Sequence, residues 1–426
     1  MRAGLWNMQF RQLGARLLAA ASTAALSLLI LSCGASNTID FLYVTSNLQS
    51  PGQINVYEVN SESGALHQIA DSPYPSGGRN PVYEVATPNG LNLFVANHDD
   101  NTIVLFAIGT DGKLYPLQTV TTPGTEPVAI ALNPSGTALY VLDYYAPAAP
   151  GQPSFTDLNP GPGALIVYPI NPGPSGLSSL GSPLTVGAAN YFPVQCFPTN
   201  LTVTPSGDFV YVTNTNAVVV TTSPPVTGTV PTLPASCPSS GTVSAFSVSS
   251  SALTQVSGSP FSTGVGSQPT GILADPGNAS IYVTDSLLNK LYTFSIQSSG
   301  ALSLASTVGT GTMPMGGTIV TGSSGKFLYV TNYTDGSLSI YALSSGLPSL
   351  VTTSNAGSSG PLCVIADPNT QRFLYTADYI GGTVGGAELN PSTGTLITNQ
   401  GSPYVSAGQP TCVAAITHPG GNKNGI

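Results

Sequence analysis

The sequence predicts an all-β protein that folds as a seven-bladed β-propeller with four-stranded antiparallel blades. Three observations support this prediction. The composition of 48 Gly, 37 Pro and only 6% charged residues is typical of short strands separated by turns. An aromatic strand recurs seven times along the 426 residues. The C-terminal segment also has the inner-strand pattern that the first repeat lacks, so the ring can close.

The recurring element is an aromatic residue between small β-forming residues. Its seven copies are Leu42-Tyr43-Val44, Leu93-Phe94-Val95, Leu139-Tyr140-Val141, Val210-Tyr211-Val212, Ile281-Tyr282-Val283, Leu328-Tyr329-Val330 and Leu374-Tyr375-Thr376. The aromatic residues are 51, 46, 71, 71, 47 and 46 positions apart. A period near 46 is typical of a propeller blade, and the two longer intervals indicate insertions of about 25 residues.

Prolines mark the predicted inner strands. Four of them lie 13 residues before their aromatic residue, namely Pro81, Pro127, Pro198 and Pro269, and each is followed seven residues later by a turn proline. Proline is tolerated at the first residue of a strand, where no ladder hydrogen bond is lost. The third strand of each repeat leads into a hairpin such as Ser63-Gly64-Ala65-Leu66 or Thr393-Gly394-Thr395-Leu396, where glycine supplies a positive φ.

The chain ends are predicted to meet in blade 1. Residues 41–45 form an aromatic strand with no inner strand before it, whereas 409–416 match the inner-strand pattern of 360–366. The predicted organisation is a leader over 1–33, a tether over 34–40, the propeller over 41–420 and a tail over 421–426. Closure removes the open sheet edges that would otherwise aggregate.

The N-terminal segment is predicted to direct export. Arg2, Arg11 and Arg16 precede the apolar stretch 17–31, which ends in Ser32-Cys33-Gly34. This is the pattern of a lipoprotein signal peptide, in which Cys33 would be lipidated. The alternative is an ordinary secretory signal in which the cysteine is incidental. The residue after Cys33 is Gly34 and not the aspartate that resembles a signal for retention at the inner membrane. We therefore expect a bacterial cell-envelope protein attached to the outer membrane by its lipid.

Charge excludes one class of partner. The net charge is −9 with only 9 Lys plus Arg, so nucleic acid, which requires clustered basic residues, is not expected as a partner. After residue 33 no apolar run reaches the roughly 20 residues of a membrane-spanning helix. The remainder is therefore predicted to be water-soluble.

Four cysteines remain after Cys33, and in an oxidising compartment they indicate two disulfides. Three pairings are possible. We favour Cys196 with Cys237, because Cys196 enters blade 4 and Cys237 lies at the end of its insertion, both on the loop-rich face. We also favour Cys363 with Cys412, which occupy equivalent positions on adjacent inner strands.

Blade 2 contains the clearest concentration of catalytic residue types, with Arg79, Glu84 and His98. Hydrolysis of a lactone requires a base that activates water and a group that stabilises the oxyanion. His98 or Glu84 could be the base and Arg79 the clamp. Glu84 also replaces residues that are apolar in other blades, among them Ile130 and Leu201. The alternative is a structural ion pair beside a solvated loop.

A polar residue follows each aromatic residue by three positions. These residues, Ser46, Asn97, Asp143, Asn214, Asp285, Asn332 and Asp378, are called the polar ring below. They could bind a cation, but we favour side chains that cap strand ends in turns, and we predict neither metal nor cofactor. The insertions 144–163 and 215–241 fall on the same face and are predicted to cover blades 3 and 4.

The Tyr-Val-Thr-Asn segments at 211–214 and 329–332, the glycine hairpins and the Gly-Ser-Pro-aromatic segments at 258–261 and 401–404 resemble those of lactonase-type seven-bladed propellers. These include the propeller form of 6-phosphogluconolactonase and the YVTN-repeat proteins. The resemblance covers about residues 40–420. It implies the propeller fold and a lactonase that uses Arg, His and carboxylate groups near its funnel.

Two functions from different classes follow from the sequence. The first is a platform that binds a carbohydrate, peptide or protein at the loop-rich face, with a small molecule as a further ligand class. The second is a lactone hydrolase that uses Arg79, Glu84 and His98. A purely structural envelope protein is a third interpretation. The shortage of basic residues favours binding and argues against a phosphorylated lactone.

Overall fold

The computed structural model describes residues 37–47, 50–149, 151–156, 159–173, 178–185, 189–215, 237, 240–249, 252–355 and 358–419. Within these ranges the regular structure is entirely β, arranged in seven antiparallel sheets, and the predicted seven-bladed propeller is confirmed. In the same ranges no helix is long and apolar enough to cross a membrane. The predicted signal peptide with Cys33 and the predicted tail lie outside the described residues.

Blade 1 joins the two ends of the described chain. It contains β1 (Thr38–Asn47), β2 (Gln53–Asn60), β3 (Leu66–Gln68), β4 (Tyr74–Pro75) and β32 (Gln409–Thr417). Antiparallel pairing of β1 with β32 places Tyr43 opposite Ala414. The predicted closure by the C-terminal strand is thus confirmed, and β1 begins at Thr38, inside the segment predicted as a tether.

The other six blades follow in chain order. Blade 2 has β5 (Pro81–Ala86), β6 (Asn92–Asn97), β7 (Thr102–Ile108) and β8 (Leu114–Thr121). Blade 3 has β9 (Thr125–Leu132), β10 (Ala138–Tyr145), β11 (Pro162–Pro172), β12 (Ser178–Leu180) and β13 (Phe192–Cys196). Blade 4 has β14 (Pro198–Val203), β15 (Phe209–Asn214), β16 (Gly241–Ser249), β17 (Ala252–Gln255) and β18 (Phe261–Gly264). Blade 5 has β19 (Pro269–Ala274), β20 (Ser280–Asp285), β21 (Lys290–Ile296) and β22 (Leu302–Gly309). Blade 6 has β23 (Pro314–Gly322), β24 (Gly325–Asn332), β25 (Ser337–Ser344) and β26 (Leu347–Ser354). Blade 7 has β27 (Pro361–Ala366), β28 (Phe373–Asp378), β29 (Thr383–Leu389), β30 (Leu396–Thr398) and β31 (Tyr404–Val405).

The inner strands enclose a central channel. Each contacts the next in the order β32, β5, β9, β14, β19, β23, β27 and back to β32, which makes the ring continuous. The channel they line has a volume of about 650 Å³. The inner strands begin near the loops that join one blade to the next, and this end of the channel is called the mouth.

The recurring tyrosine connects neighbouring blades. Its hydroxyl donates to the carbonyl oxygen of the hairpin glycine in the next blade, in the pairs Tyr43–Gly112, Tyr211–Gly300, Tyr282–Gly346, Tyr329–Gly394 and Tyr375–Gly64, at 2.8–3.1 Å. A phenylalanine two residues earlier often packs against the same glycine. At Gly112, for example, an added Cβ would lie 2.5 Å from Phe41 Cδ1. Glycine is therefore required at this hairpin position for two reasons: a side chain would clash with the phenylalanine of the neighbouring blade, and the φ angle is positive.

The outer edge differs from the prediction in four blades, where the fourth strand is split into two short segments. A Ser-Pro pair lies between the segments in blades 1, 4 and 7. There the serine hydroxyl accepts a hydrogen bond from an amide of the third strand, as Ser259 Oγ does from Ala245 N at 2.9 Å. The hydroxyl replaces a strand carbonyl, so the interruption leaves no buried amide without a partner at that point.

Both favoured cysteine pairs are disulfide-bonded in the structure. Cys196 and Cys237 have Cα atoms 5.5 Å apart, and Cys363 and Cys412 have Cα atoms 5.1 Å apart. The second bond joins the inner strands of blades 7 and 1. The Cα separation fits a disulfide because adjacent inner strands converge at the channel.

Candidate functional site

The polar ring lies beneath the mouth, and all seven of its residues are fully buried. Only Asp285 follows the expected capping pattern, since its Oδ1 accepts amides of Leu287 and Leu288 at 3.0 and 2.9 Å. Other members hydrogen-bond the end of the strand to neighbouring segments. Asp143 Oδ2, for instance, accepts the amide of Gly124 at 2.9 Å. Among the described residues no group of three or more His, Cys, Asp or Glu side chains could hold a metal.

The residue after each polar-ring position borders the mouth. In five blades its amide donates to the carbonyl oxygen just before the proline of the inner strand, in the pairs His98–Asn80, Thr215–Phe197, Ser286–Gln268, Tyr333–Met313 and Tyr379–Gly360, at 2.9–3.0 Å. Tyr144 and Asn47 are the equivalent residues of blades 3 and 1. We call these seven the mouth positions. The repeat therefore presents one variable side chain per blade around the mouth.

The mouth position of blade 2 is occupied by a histidine paired with a carboxylate. His98 Nδ1 lies 2.8 Å from Asp99 Oδ1, and His98 Nε2 lies 3.9 Å from Glu126 Oε2, which is longer than a hydrogen bond. The His98 side chain is 28% exposed, so solvent reaches it. A carboxylate on Nδ1 orients the imidazole and leaves Nε2 to exchange a proton.

Arg79 is part of the same cluster. Its Nε donates to Asp100 Oδ1 at 2.7 Å, its backbone amide donates to Asp100 Oδ2 at 2.7 Å, and its Nη2 donates to the carbonyl oxygen of Asp99 at 3.0 Å. The side chain remains 55% exposed. Asp99 thus contacts both Arg79 and His98, and the structure brings these two predicted residues together. Arg79, His98, Asp99, Asp100 and Glu126 are called the blade 2 cluster below.

Electrostatics keep the aspartates of this cluster ionised. Partial burial raises the pKa of Asp99, but hydrogen bonds from Asn80 and His98 and the charge of Arg79 outweigh it and hold that pKa below its ordinary value. The hydrogen bonds from Arg79 also lower the pKa of Asp100. Asp99 can therefore stabilise a proton on His98 without becoming protonated itself.

Glu84 is not brought together with the other two predicted residues. Its carboxylate is buried against Thr45, accepting the Thr45 amide at 3.2 Å on Oε1 and the Thr45 hydroxyl on Oε2. Burial raises the pKa of Glu84 to about 8, although the hydrogen bonds from Thr45 lower it. It is buried and contacts blade 1 through Thr45, and its apolar counterparts Ile130 and Leu201 belong to buried clusters between neighbouring blades. The structure supports a structural role for this carboxyl.

Sequence reasoning left three cluster residues without a role. Asp99 and Asp100 could have been assigned, because they follow His98 directly in the same loop. Glu126 could not, because it belongs to the loop that enters blade 3 and reaches His98 only through the curvature of the ring.

The blade 3 insertion folds back over its own blade. Tyr144 packs against Tyr145 and Phe197, with ring centroids 4.8 and 5.6 Å apart. Cys196 and Cys237 belong to the same buried apolar group. That the two insertions cover blades 3 and 4 stays a prediction, because most of the second insertion lies outside the described residues.

Comparison with protein families and solved structures gave consistent matches. The family model described as "Lactonase, 7-bladed beta-propeller" matches residues 34–145 and 239–415, and the interval between contains most of both insertions. Comparison with curated proteins gave no match. Similar solved structures include the periplasmic gluconolactonase PpgL of Pseudomonas aeruginosa, with a TM-score of 0.67 and 18% identity over 90% of this chain and 100% of that chain. Another, from Bacteroides fragilis, is described as a "putative 6-phosphogluconolactonase", with a TM-score of 0.66 and 18% identity over 90% of this chain and 99% of that chain. At this identity the structural likeness shows the fold.

Proposed function

Because this chain belongs to the family of seven-bladed β-propeller lactonases, we propose that it hydrolyses a lactone at the blade 2 cluster. One observation carries the proposal. Asp99 hydrogen-bonds the imidazole of His98 through its carboxylate and the guanidinium of Arg79 through its carbonyl oxygen, so both groups belong to one cluster at the mouth of the channel. An oriented base beside a cation is the combination that acyl transfer to water requires.

In the proposed reaction His98 Nε2 accepts a proton from water as the water oxygen bonds to the lactone carbonyl carbon. Arg79 stabilises the negative charge that forms on the carbonyl oxygen. Its described hydrogen bonds use Nε and Nη2, so Nη1 retains donor capacity. Collapse of the intermediate breaks the bond from the carbonyl carbon to the ring oxygen. The proton on His98 passes to that oxygen, and the product is a hydroxy acid.

The charges of the cluster favour an uncharged substrate. Asp99, Asp100 and Glu126 supply three carboxylates against the single guanidinium of Arg79. A phosphate group would meet more repulsion than attraction here. We therefore propose a neutral lactone as the substrate class. Family membership favours hydrolysis over the binding-platform function preferred from the sequence, so the order of the two interpretations is reversed.

The test is turnover of neutral lactones by the purified protein and its variants, followed by release of acid. His98→Gln should lower kcat by roughly 10²–10⁴-fold because the base is lost. Glu84→Gln should retain activity, since Glu84 contacts Thr45 rather than the cluster. Equal activity of wild type and His98→Gln, or no turnover of any lactone, would contradict the proposal.

We also propose that the protein is exported and anchored to the cell envelope through Cys33. The two disulfides support an oxidising compartment. Radiolabelled palmitate should enter the wild-type protein and not Cys33→Ser. Labelling of both proteins, or of neither, would contradict anchoring at this residue.

A further inference from the structure

A second surface borders the mouth on blades 5 to 7. The mouth positions of blades 6 and 7 are Tyr333 and Tyr379, whose ring centroids lie 6.5 Å apart with the planes tilted by 48°. Ile380 is 58% exposed beside them, and in the corresponding loop of blade 5 Leu287 and Leu288 are 56% and 36% exposed. These five residues are called the apolar platform. Tyr333 and Tyr379 are partly exposed, and apolar side chains exposed on the loops of neighbouring blades mark a candidate contact surface.

The platform is held in place by the ends of the inner strands. The Tyr333 amide donates to the carbonyl oxygen of Met313 at 3.0 Å, and the Tyr379 amide donates to that of Gly360 at 2.9 Å. Ile380 packs over Gly360, since an added Cβ there would lie 2.5 Å from Ile380 Cγ1. Binding on this surface therefore requires little ordering of the loops.

This side of the mouth has fewer charged residues than the blade 2 cluster. The loops 286–289, 333–336 and 379–382 contain one charged residue, Asp335, whose Oδ2 accepts the Thr312 amide at 2.5 Å. Lys290 begins the strand after the first loop. The blade 2 loop, in contrast, carries His98, Asp99 and Asp100 in succession. One half of the mouth thus suits a polar reacting group and the other half suits an apolar one.

We infer that the substrate is a lactone with an apolar acyl arm, which lies on the platform while the lactone ring lies at the blade 2 cluster. This inference rests on the proposed lactonase function. The hydroxyl groups of a sugar lactone would lose hydration on such a surface without gaining enough partners. An acyl arm gains free energy for every methylene removed from water.

The distance between the two surfaces sets the length of the arm. Around the ring, only blade 1 separates blade 7 from blade 2. The arm must therefore extend past the mouth position of blade 1, Asn47, which favours a chain of octanoyl length or longer over a butanoyl chain.

Kinetics with homoserine lactones acylated by butanoyl, octanoyl or dodecanoyl groups test the inference. We expect kcat/KM to rise by about twofold to threefold per methylene up to the octanoyl compound. The double variant Tyr333→Ala with Tyr379→Ala should lose about tenfold with octanoyl and little with butanoyl. Tyr115→Ala is the matched control, because Tyr115 is 53% exposed on outer strand β8, away from the mouth.

Binding separates failure of this inference from failure of the proposed function. The octanoyl lactam, in which nitrogen replaces the ring oxygen, should bind in calorimetry more tightly than the butanoyl lactam, and the double tyrosine variant should remove the difference. That result would support the platform even without turnover. Equal affinity for both lactams, or turnover that favours gluconolactone over acylated lactones, would overturn the inference while leaving lactone hydrolysis intact.

Discussion

Glu84 on the inner strand of blade 2 accepts the backbone amide of Thr45, which lies on the first strand of blade 1. The Thr45 hydroxyl lies 2.9 Å from that of Thr411 on the C-terminal strand, and Thr411 Oγ1 donates to the carbonyl oxygen of Pro81 at 2.7 Å. One buried carboxyl thereby contacts the strand that begins the ring and, through it, the strand that ends it. The position that looked catalytic in the sequence is part of the closure.

Glu84→Gln should make the protein more stable than wild type at alkaline pH. The folded-state pKa of about 8 exceeds the ordinary value of 4.5, so the folded protein favours the protonated form. The resulting stability is fully present below pH 4.5 and is lost as the pH rises through 8. Glutamine stays neutral and can keep both contacts with Thr45.

The measurement is the free energy of unfolding of both proteins between pH 5 and 9. The difference should grow by a few kcal/mol over this range. Asp40, Asp143 and Asp378 are also buried with raised pKa values, but they are common to both proteins and cancel. Glu62→Gln, at an exposed position, should show no such trend. A difference independent of pH would refute the prediction.

Asp99→Asn should lower kcat on the order of tenfold or more while KM and the melting temperature stay close to wild type. Asp99 is a positioning residue, because it orients His98 through Nδ1 and an amide cannot stabilise the imidazolium equally. Asp208→Asn, an exposed change in another loop, is the control. A change in KM alone would assign Asp99 to binding instead.

Gly394→Ala should cost about 2–4 kcal/mol of stability, and Gly266→Ala about 1 kcal/mol. The two glycines have nearly the same φ, 75° and 74°, so the conformational penalty is matched. Only at Gly394 would the new Cβ meet a neighbour, 2.4 Å from Phe327 Cδ1, whereas nothing lies within 4 Å at Gly266. Denaturant unfolding measures the difference. Equal losses would show that packing between blades contributes nothing at this hairpin.

The double variant Cys363→Ser with Cys412→Ser should lose about 2–5 kcal/mol of stability. The bond links residues 49 apart in sequence and joins the closing strand β32 to the inner strand β27 of blade 7. Urea unfolding without reductant measures this loss. With reductant, the wild-type midpoint should fall to that of the reduced double variant. Unchanged stability of the double variant would show that the hydrogen-bonded pairing of β1 with β32 suffices.

The fold of this chain could be predicted from the periodic spacing of a few residue types. The spacing of Tyr43 to Tyr375, the prolines that begin inner strands and the hairpin glycines are local requirements of strand, turn and register, so the sequence alone predicted the number of blades and the closing strand. It left three cysteine pairings possible, and the tertiary structure contains the two favoured pairs. The split outer strands were not predicted, because a serine hydroxyl replaces a strand carbonyl only when Ser259 and the third strand already lie side by side.

The candidate site, too, could be predicted from the sequence only in part. The sequence identified Arg79 and His98 by residue type, since few charged residues occur in the chain. Only the tertiary structure decided that Glu126 approaches from the next blade and that Glu84 belongs to the closure. The physical reason is that the curvature of the ring, rather than distance along the chain, determines which side chains meet at a blade junction.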